Sequence, residues 1–191
     1  ERNERTPMET WKIDPAHTDI AFSAKHLMVT TVRGKFDRVE GELALDEEDP
    51  TRSRGEIRIT TSSLSTGVEQ RDQHLRSADF FDVEKYPAIV ARATGVERKG
   101  DGYLVSADVT IRDVTRPVTF EAEFLGVVGN LQGGRHAGFH LSARVDREQW
   151  GLVWNMGLEA GGWLVGKEIK LDIDVAADSV AVPLAAASTA A

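Results

Sequence analysis

Histidine is the side chain best suited to proton transfer or metal ligation near neutral pH, and this chain carries five: His17, His26, His74, His136 and His140. None stands in a His-Glu-x-x-His or comparable metal-ligand spacing. His74 follows Asp72 by two residues on a predicted helix, where side chains at that spacing do not face each other. His17, after Asp14-Pro15-Ala16, reads as a turn residue whose ring closes local hydrogen bonds. His140 falls on the polar side of an alternating segment and His136 follows Gly133-Gly134, so both read as turn and surface residues. His26 is different, because it falls on the apolar side of its segment. There it is either a satisfied core histidine or a polar contact for a ligand headgroup. Arg33, just beyond, is either an outward ion-pairing residue or a second such contact. No Gly-x-Ser-x-Gly elbow, phosphate-cradling loop or dinucleotide fingerprint occurs. With no cysteine there is no thiolate nucleophile and no cysteine-held metal. Neither catalysis, a metal nor a cofactor is expected.

The charge balance narrows the partners. The formal net charge is −8 and the cations are scattered, so there is no basic stripe to neutralise nucleic-acid phosphates. The same balance opposes tight electrostatic docking on anionic lipid, leaving at most a transient membrane contact. The run Asp46-Glu47-Glu48-Asp49 reads as a solvated turn. No apolar run approaches the roughly 20 residues of a membrane helix. Absence of cysteine suits a reducing cytoplasm, which is the expected location. The sequence begins without methionine, so a periplasmic or secreted location behind a removed leader stays open.

The elements that must position any site read as β-structure. Ile20, Phe22, Ala24 and His26 alternate with Asp19, Ser23 and Lys25. The same period of two recurs at Val32–Phe36 with Gly41–Leu45, around Ile57 and Ile59, and at Ile89–Ala93. It returns at Tyr103–Ile111, Val118–Phe124, Ala137–Val145 and Ile169–Val175, giving eight strands with one wet and one apolar face each. Such one-sided alternation marks antiparallel sheets. With no helices to cover the apolar faces, the sheet must close on itself or pack on a second sheet. An all-β, eight-stranded antiparallel up-and-down barrel is predicted, with a β-sandwich as the alternative. A barrel of that size is just wide enough to hold one small ligand. Small residues recur inward: Ala24, Gly34, Gly41, Ala91, Ala93, Ala107, Ala122, Ala137 and Ala143. They either fill a tapered interior or leave a narrow apolar channel, and periodicity does not choose.

Two stretches break the alternation. Ser62–Pro87 is a long connection in which Thr66 and Glu69 have the form of a capping box, predicting a short helix near residues 67–77. Phe80 and Phe81 follow, between Asp79 and Asp82, and the segment has the character of a lid or binding loop. Later, Trp150, Trp154 and Trp163 crowd a glycine-rich connection between the last two strands. Such rings demand burial in a barrel end, a dimer interface or against a ligand. Residues 1–9 and 178–191 are predicted to be disordered tails around one domain at 10–177.

Several motifs, in order, resemble the YceI-like family of polyisoprenoid-binding proteins. They are Trp11-Lys-Ile-Asp-Pro-Ala-His17, Lys25-His26 leading to Val32-Arg33-Gly34-Lys35-Phe36, and Arg71-Asp72-Gln73-His74-Leu75-Arg76-Ser77-Ala78-Asp79-Phe80-Phe81-Asp82 before Tyr86-Pro87. Val109-Thr-Ile-Arg-Asp-Val-Thr115 and Arg147 with Trp150-Gly151 are also similar, although Trp150 stands where the family usually has phenylalanine and Thr18 where serine is commoner. The likeness covers about residues 10 to 176.

This resemblance implies a lipocalin-like barrel with a helical insertion at one end and a long apolar tunnel holding an isoprenoid chain, such as a quinone tail or a polyprenyl phosphate. Storage or transport of that lipid is the implied role, possible links to stress included, and a homodimer is expected because homodimers occur in the family. No metal or reaction is associated with it. The expected tunnel wall is Phe22, Phe36, Ile57, Ile59, Phe80, Phe81, Ile89, Phe120, Phe139 and Leu171, with Trp150 and Trp154 beside the ligand. His26, Arg33 and His74 are the expected polar end. Because apolar burial is worth ~25 cal/mol per Å², a tail needs no directional contact, and selectivity should follow chain length and shape more than headgroup. Two competitors remain: a solid-barrel interaction or structural module without ligand, and a lipid-modifying enzyme pairing His26 or His74 with Asp72 or Asp79.

Overall fold

The computed structural model describes residues 8–129 and 133–180. Its strands are β1 (Glu9–Ile13), β2 (Asp19–His26), β3 (Thr30–Phe36), β4 (Val39–Leu45), β5 (Arg54–Thr60), β6 (Leu64–Ser65), β7 (Ala88–Lys99), β8 (Gly102–Ile111), β9 (Val114–Gly129), β10 (Arg135–Asp146) and β11 (Val165–Ser179), with one α-helix, α1 (Glu69–Arg76). Most of the two expected tails lies outside the described residues. Of the parts inside, Glu9 opens β1, and Asp178 and Ser179 extend β11.

All strands belong to one antiparallel sheet. Pairing runs β1-β4-β5-β7-β8-β9-β10-β11 and returns from β11 to β1, so eight strands close a barrel as expected. The three additional strands come from bends. β1 and β2 continue one another across Asp14–Thr18, β3 and β4 across Asp37-Arg38, and β5 and β6 across a turn at Thr61–Ser63. Beyond the bends β2 pairs with β11 and β3, and β3 with β6, so one wall of the barrel is lengthened. Local bonds bridge the breaks: the Asp14 N–H donates to the Ala176 carbonyl at 2.8 Å. The fully buried Thr61 grips the end of the long connection, its N–H on the Pro87 carbonyl (3.0 Å) and its hydroxyl on that of Tyr86 (2.7 Å).

The alternation in the sequence is the alternation of inside and outside. Ile20, Ile59, Val109, Val118, Phe120 and Val175 are buried in one core, joined at the seam by Trp11. Gly41 is required where β4 meets β5, since a Cβ there would lie 2.3 Å from the Glu56 carbonyl oxygen and 3.0 Å from Ile57 Cα. Gly41→Ala is therefore expected to cost about 1–3 kcal/mol, read as a lower denaturant midpoint at unchanged m-value.

The helix forms where predicted, but not by the predicted cap. Its N-cap position is Val68, and no side chain caps it. Thr66 is drawn instead to Asp72, a buried carboxylate that accepts the Thr66 N–H (2.9 Å) and hydroxyl. Arg71 completes the lock, its Nε on Thr66 Oγ1 (2.7 Å) and its Nη2 on the Thr66 carbonyl (3.0 Å). A buried carboxylate needs such donors, and this need outweighs the capping box.

Candidate functional site

The barrel has two ends. The first carries the β4–β5 connection and the tight turn between β7 and β8. The second carries the β2–β3 hairpin tip, α1 with its flanking segments, the β8–β9 turn and the β10–β11 connection. Each end leads into a cavity.

The first cavity, of about 200 Å³, lies inside the barrel. Of the residues expected in the tunnel wall, Ile57, Ile59, Phe120 and Phe139 line this cavity, together with Leu43, Val105, Leu141 and Ile173. Ala91, Ala93, Ala107 and Ala122 also face it. Ala93 and Ala107 are direct cross-strand partners, so two small side chains meet where larger ones would fill the space. Polar groups are confined to the rim, where Arg52 pairs with Asp46 (2.8 Å) and Arg135 with Glu47 (2.5 Å).

The second cavity, of about 570 Å³, lies between the β2–β3 hairpin, α1 and Trp154. His26, His74, Phe80 and Trp154 line it, with Ala24, Val32 and Leu75 supplying apolar surface and Lys25, Gln70 and Arg71 polar surface. His74 is held edge-on against Trp154 (4.5 Å between centroids) and Phe80 (5.2 Å), with Nε2 2.8 Å from the Asp79 carboxylate. The Asp72 carboxylate is committed to Thr66, so it is not the base of a histidine pair. His26 has no side-chain hydrogen bond among the described residues, leaving its ring available to a ligand.

Phe22, Phe36 and Phe81, expected in the tunnel wall, line neither cavity and pack against one another. Along β2, Ile20 lines the first cavity, Ala24 the second, and Phe22 stands between them. Phe22 packs 5.5 Å from Phe36, which meets Phe81 edge-on at 5.6 Å. Gly34 makes room for this packing, because a Cβ there would meet the Phe22 ring at 2.4 Å. The three rings thus form one aromatic cluster at the level of β2 between the residues that line the two cavities.

Other expected site residues lie elsewhere. Arg33 is exposed on the outer face beside Ser23, lines neither cavity, and is corrected to a surface residue. Its place follows from parity, since Val32 and Gly34 point inward. Ile89 and Leu171 pack in or against the core without lining a cavity. Trp150 is buried, its Nε1–H donating to the Val109 carbonyl at 2.9 Å, and is a structural plug. Trp163, for which burial was expected, is 57% exposed.

Sequence reasoning missed the role of Arg147. It is 5% exposed, and its guanidinium donates to the carbonyls of Gly166 (3.0 Å), Val165 (3.4 Å) and Leu152, beneath the Phe80 ring. Burial lowers its pKa from the ordinary arginine value, while Glu148 and Asp146 act in the opposite sense. Carbonyl dipoles, not a carboxylate, carry this charge, tying the connection behind Trp154 to the start of β11. The only sequence signal was the shared Arg147 and Trp150-Gly151 motif.

Comparison with known proteins adds an independent line. Residues 11–177 match the profile of the YceI-like domain. A UPF0312 protein of Staphylococcus epidermidis is 37% identical over 166 residues, covering 86% of this chain and 95% of the relative, and one of Staphylococcus aureus is 34% identical over the same length. Among solved structures, Burkholderia cenocepacia BcnA superposes with a TM-score of 0.73 at 16% identity, covering 86% of this chain and 98% of that one. A polyisoprenoid binding domain from Saccharophagus degradans, implicated in plant cell wall breakdown, gives 0.64 at 12% identity, covering 91% and 99%.

Proposed function

The chain belongs to the YceI-like family, and from that premise we propose that it binds a long-chain isoprenoid lipid for storage or transport and catalyses no reaction. The observation that carries this reading is the pair of cavities toward opposite ends of the barrel, the first walled by apolar side chains and the second by both apolar and polar ones. The second cavity falls within the roughly 300–1,000 Å³ of ligand pockets. A tail entering at the second end passes Trp154 and Phe80, and rotation of Phe22 or Phe81 admits it to the first cavity. His26, Lys25 and Arg71 then stand near the headgroup. The polyisoprenoid binding of the Saccharophagus degradans domain supports the ligand class. A solid barrel fits these cavities less well.

The test is a titration with quinones of increasing tail length, followed through quenching of tryptophan emission. Affinity should rise with tail length until the barrel is filled and change little with headgroup. Absence of saturable quenching, or dependence on headgroup alone, would rule the reading out.

The second end also carries an exposed apolar rim: Leu27, Met28 and Val29 on the hairpin tip, Val68 before α1, and Val153, Met156 and Trp163 on the β10–β11 connection. The Leu27 N–H donates to the Leu164 carbonyl at 2.9 Å, and a Cβ on Gly162 would meet the Met28 side chain, so hairpin and connection adjoin. This rim is proposed to dip transiently into a bilayer where the lipid is exchanged, by apolar insertion and not by charge attraction. The protein should float with neutral phosphatidylcholine vesicles at high salt, and Val29→Asp with Trp163→Asp should abolish flotation. If the rim instead joins a homodimer, the wild type will sediment as a dimer that the same changes dissociate, and it will not float.

A further inference from the structure

Away from both cavities, one group of histidine and carboxylate side chains among the described residues could share an ion. Asp14, His136 and Asp178 present ligand atoms all within 4.8 Å of one another. A fourth residue adjoins them: His17 Nδ1 is 2.5 Å from Asp14 Oδ2, and its ring meets that of His136 edge-on at 6.0 Å. The backbone brings the group together. His136 on β10 stands directly opposite Asp178 on β11, and Nδ1 and Oδ1 are 2.8 Å apart. Asp178 is in turn opposite Lys12 on β1, and Asp14 follows that strand with its N–H on the Ala176 carbonyl. Ligands contributed by three chain segments have no spacing to recognise, which is why the histidines read separately as turn and surface residues.

We infer that Asp14, His17, His136 and Asp178 form a structural site for a divalent cation of the zinc class. Two imidazoles and two carboxylates make a mixed nitrogen and oxygen set. That set suits zinc and its borderline neighbours, whereas magnesium and calcium favour oxygen alone. Zinc bonds of about 2.0–2.2 Å in a tetrahedron would set ligand atoms about 3.4 Å apart. The hydrogen-bonded pairs His17–Asp14 (2.5 Å) and His136–Asp178 (2.8 Å) would therefore open around the ion while the exposed His17 ring turns in toward the other three ligands. With His17 turned in beside the three convergent residues, four protein ligands would complete the shell, so the ion would bind without an open position for chemistry.

The ordinary alternative is two surface His–Asp ion pairs, and the same sheet supplies a comparison. His140 lies 2.8 Å from Asp174 and 3.8 Å from Asp172, but these carboxylates come from one strand and do not converge with a third segment. The Asp14 group differs by spanning the barrel seam. There β1 and β11 share three residue pairs, against eleven between β10 and β11. An ion at this place would staple the shortest ladder of the closure.

The experiment is metal titration of the intact chain, pre-treated with EDTA, using zinc and magnesium chlorides with thermal unfolding as one readout. Cobalt(II) absorption in the visible provides the second. The expected result is one zinc per chain, a rise in Tm of about 5–10 °C at a hundredfold excess over Kd, and no response to magnesium. Tetrahedral cobalt absorption should appear in the wild type and in His140→Ala. His136→Ala and Asp178→Asn should weaken zinc binding at least about tenfold while folding normally without metal. No zinc binding at micromolar concentrations, or equal binding by wild type and both variants, would overturn the inference. Loss in His140→Ala as large as in His136→Ala would overturn it too, by showing dispersed surface coordination.

Discussion

Ala107→Phe is expected to yield a folded protein that no longer takes up long-tailed isoprenoids. Ala107 is 4% exposed, lines the first cavity and faces Ala93 across the β7–β8 ladder. A benzyl group there projects into the open part of the barrel, where the space that two alanines leave absorbs it. The usual overpacking cost of about 1–3 kcal/mol should be largely avoided. Lipid binding should suffer far more. Burial is worth roughly 0.8 kcal/mol per CH₂, so each five-carbon isoprene unit excluded removes on the order of 3–4 kcal/mol before ordering costs. Affinity for a long-tailed quinone should therefore fall more than about tenfold, with short-tailed ligands in the second cavity affected less. Ala93→Phe, reaching in from the facing strand, should behave alike. Uptake by either variant equal to that of the parent would show that the tail does not enter the first cavity.

Arg147→Met should produce the largest loss of stability at the second end. Methionine matches the aliphatic stem but leaves the carbonyls of Leu152, Val165 and Gly166 without the guanidinium they now share. Unpaired buried acceptors cost about 1–3 kcal/mol each, part of which water recovers as the connection loosens. A net loss of about 3 kcal/mol is expected, lowering Tm by about 6–12 °C in a chain of this size. Arg147→Lys should rescue little, because a point-like ammonium cannot serve three diverging carbonyls as a planar fork does. Differential scanning calorimetry of the two variants decides the matter. A shift of only a degree or two would mean that Trp150 and β11 hold the connection without Arg147.

The inside and outside of the barrel were legible because the period-two pattern is a direct imprint of burial. The same parity placed His26 inward beside Ala24 and could have placed Arg33 outward, had it outweighed the attraction of an arginine near a presumed headgroup. The bends at Asp14–Thr18 and Asp37-Arg38 were not legible, since a strand that turns a corner keeps its alternation. The cavity was half legible: Ala93 and Ala107 stood among the inward small residues, but only the register that sets them opposite one another shows that they leave space instead of filling a taper. Asp72 and Arg147 show a further limit. Their roles come from backbone groups distant in the chain, and a charged residue in the sequence carries no mark of its own burial. The Thr66–Glu69 box failed because a competing carboxylate, three residues further along, offered Thr66 a buried partner.

The central claim is that the barrel carries an isoprenoid tail. It is tested most directly by mass spectrometry of an organic extract from protein purified without detergent. The expected extract contains one dominant isoprenoid class at near-stoichiometric amount, sharply reduced in Ala107→Phe purified the same way. An extract without isoprenoid, from protein that also fails to take up added quinone or prenyl phosphate, would contradict the claim and leave a barrel with another use.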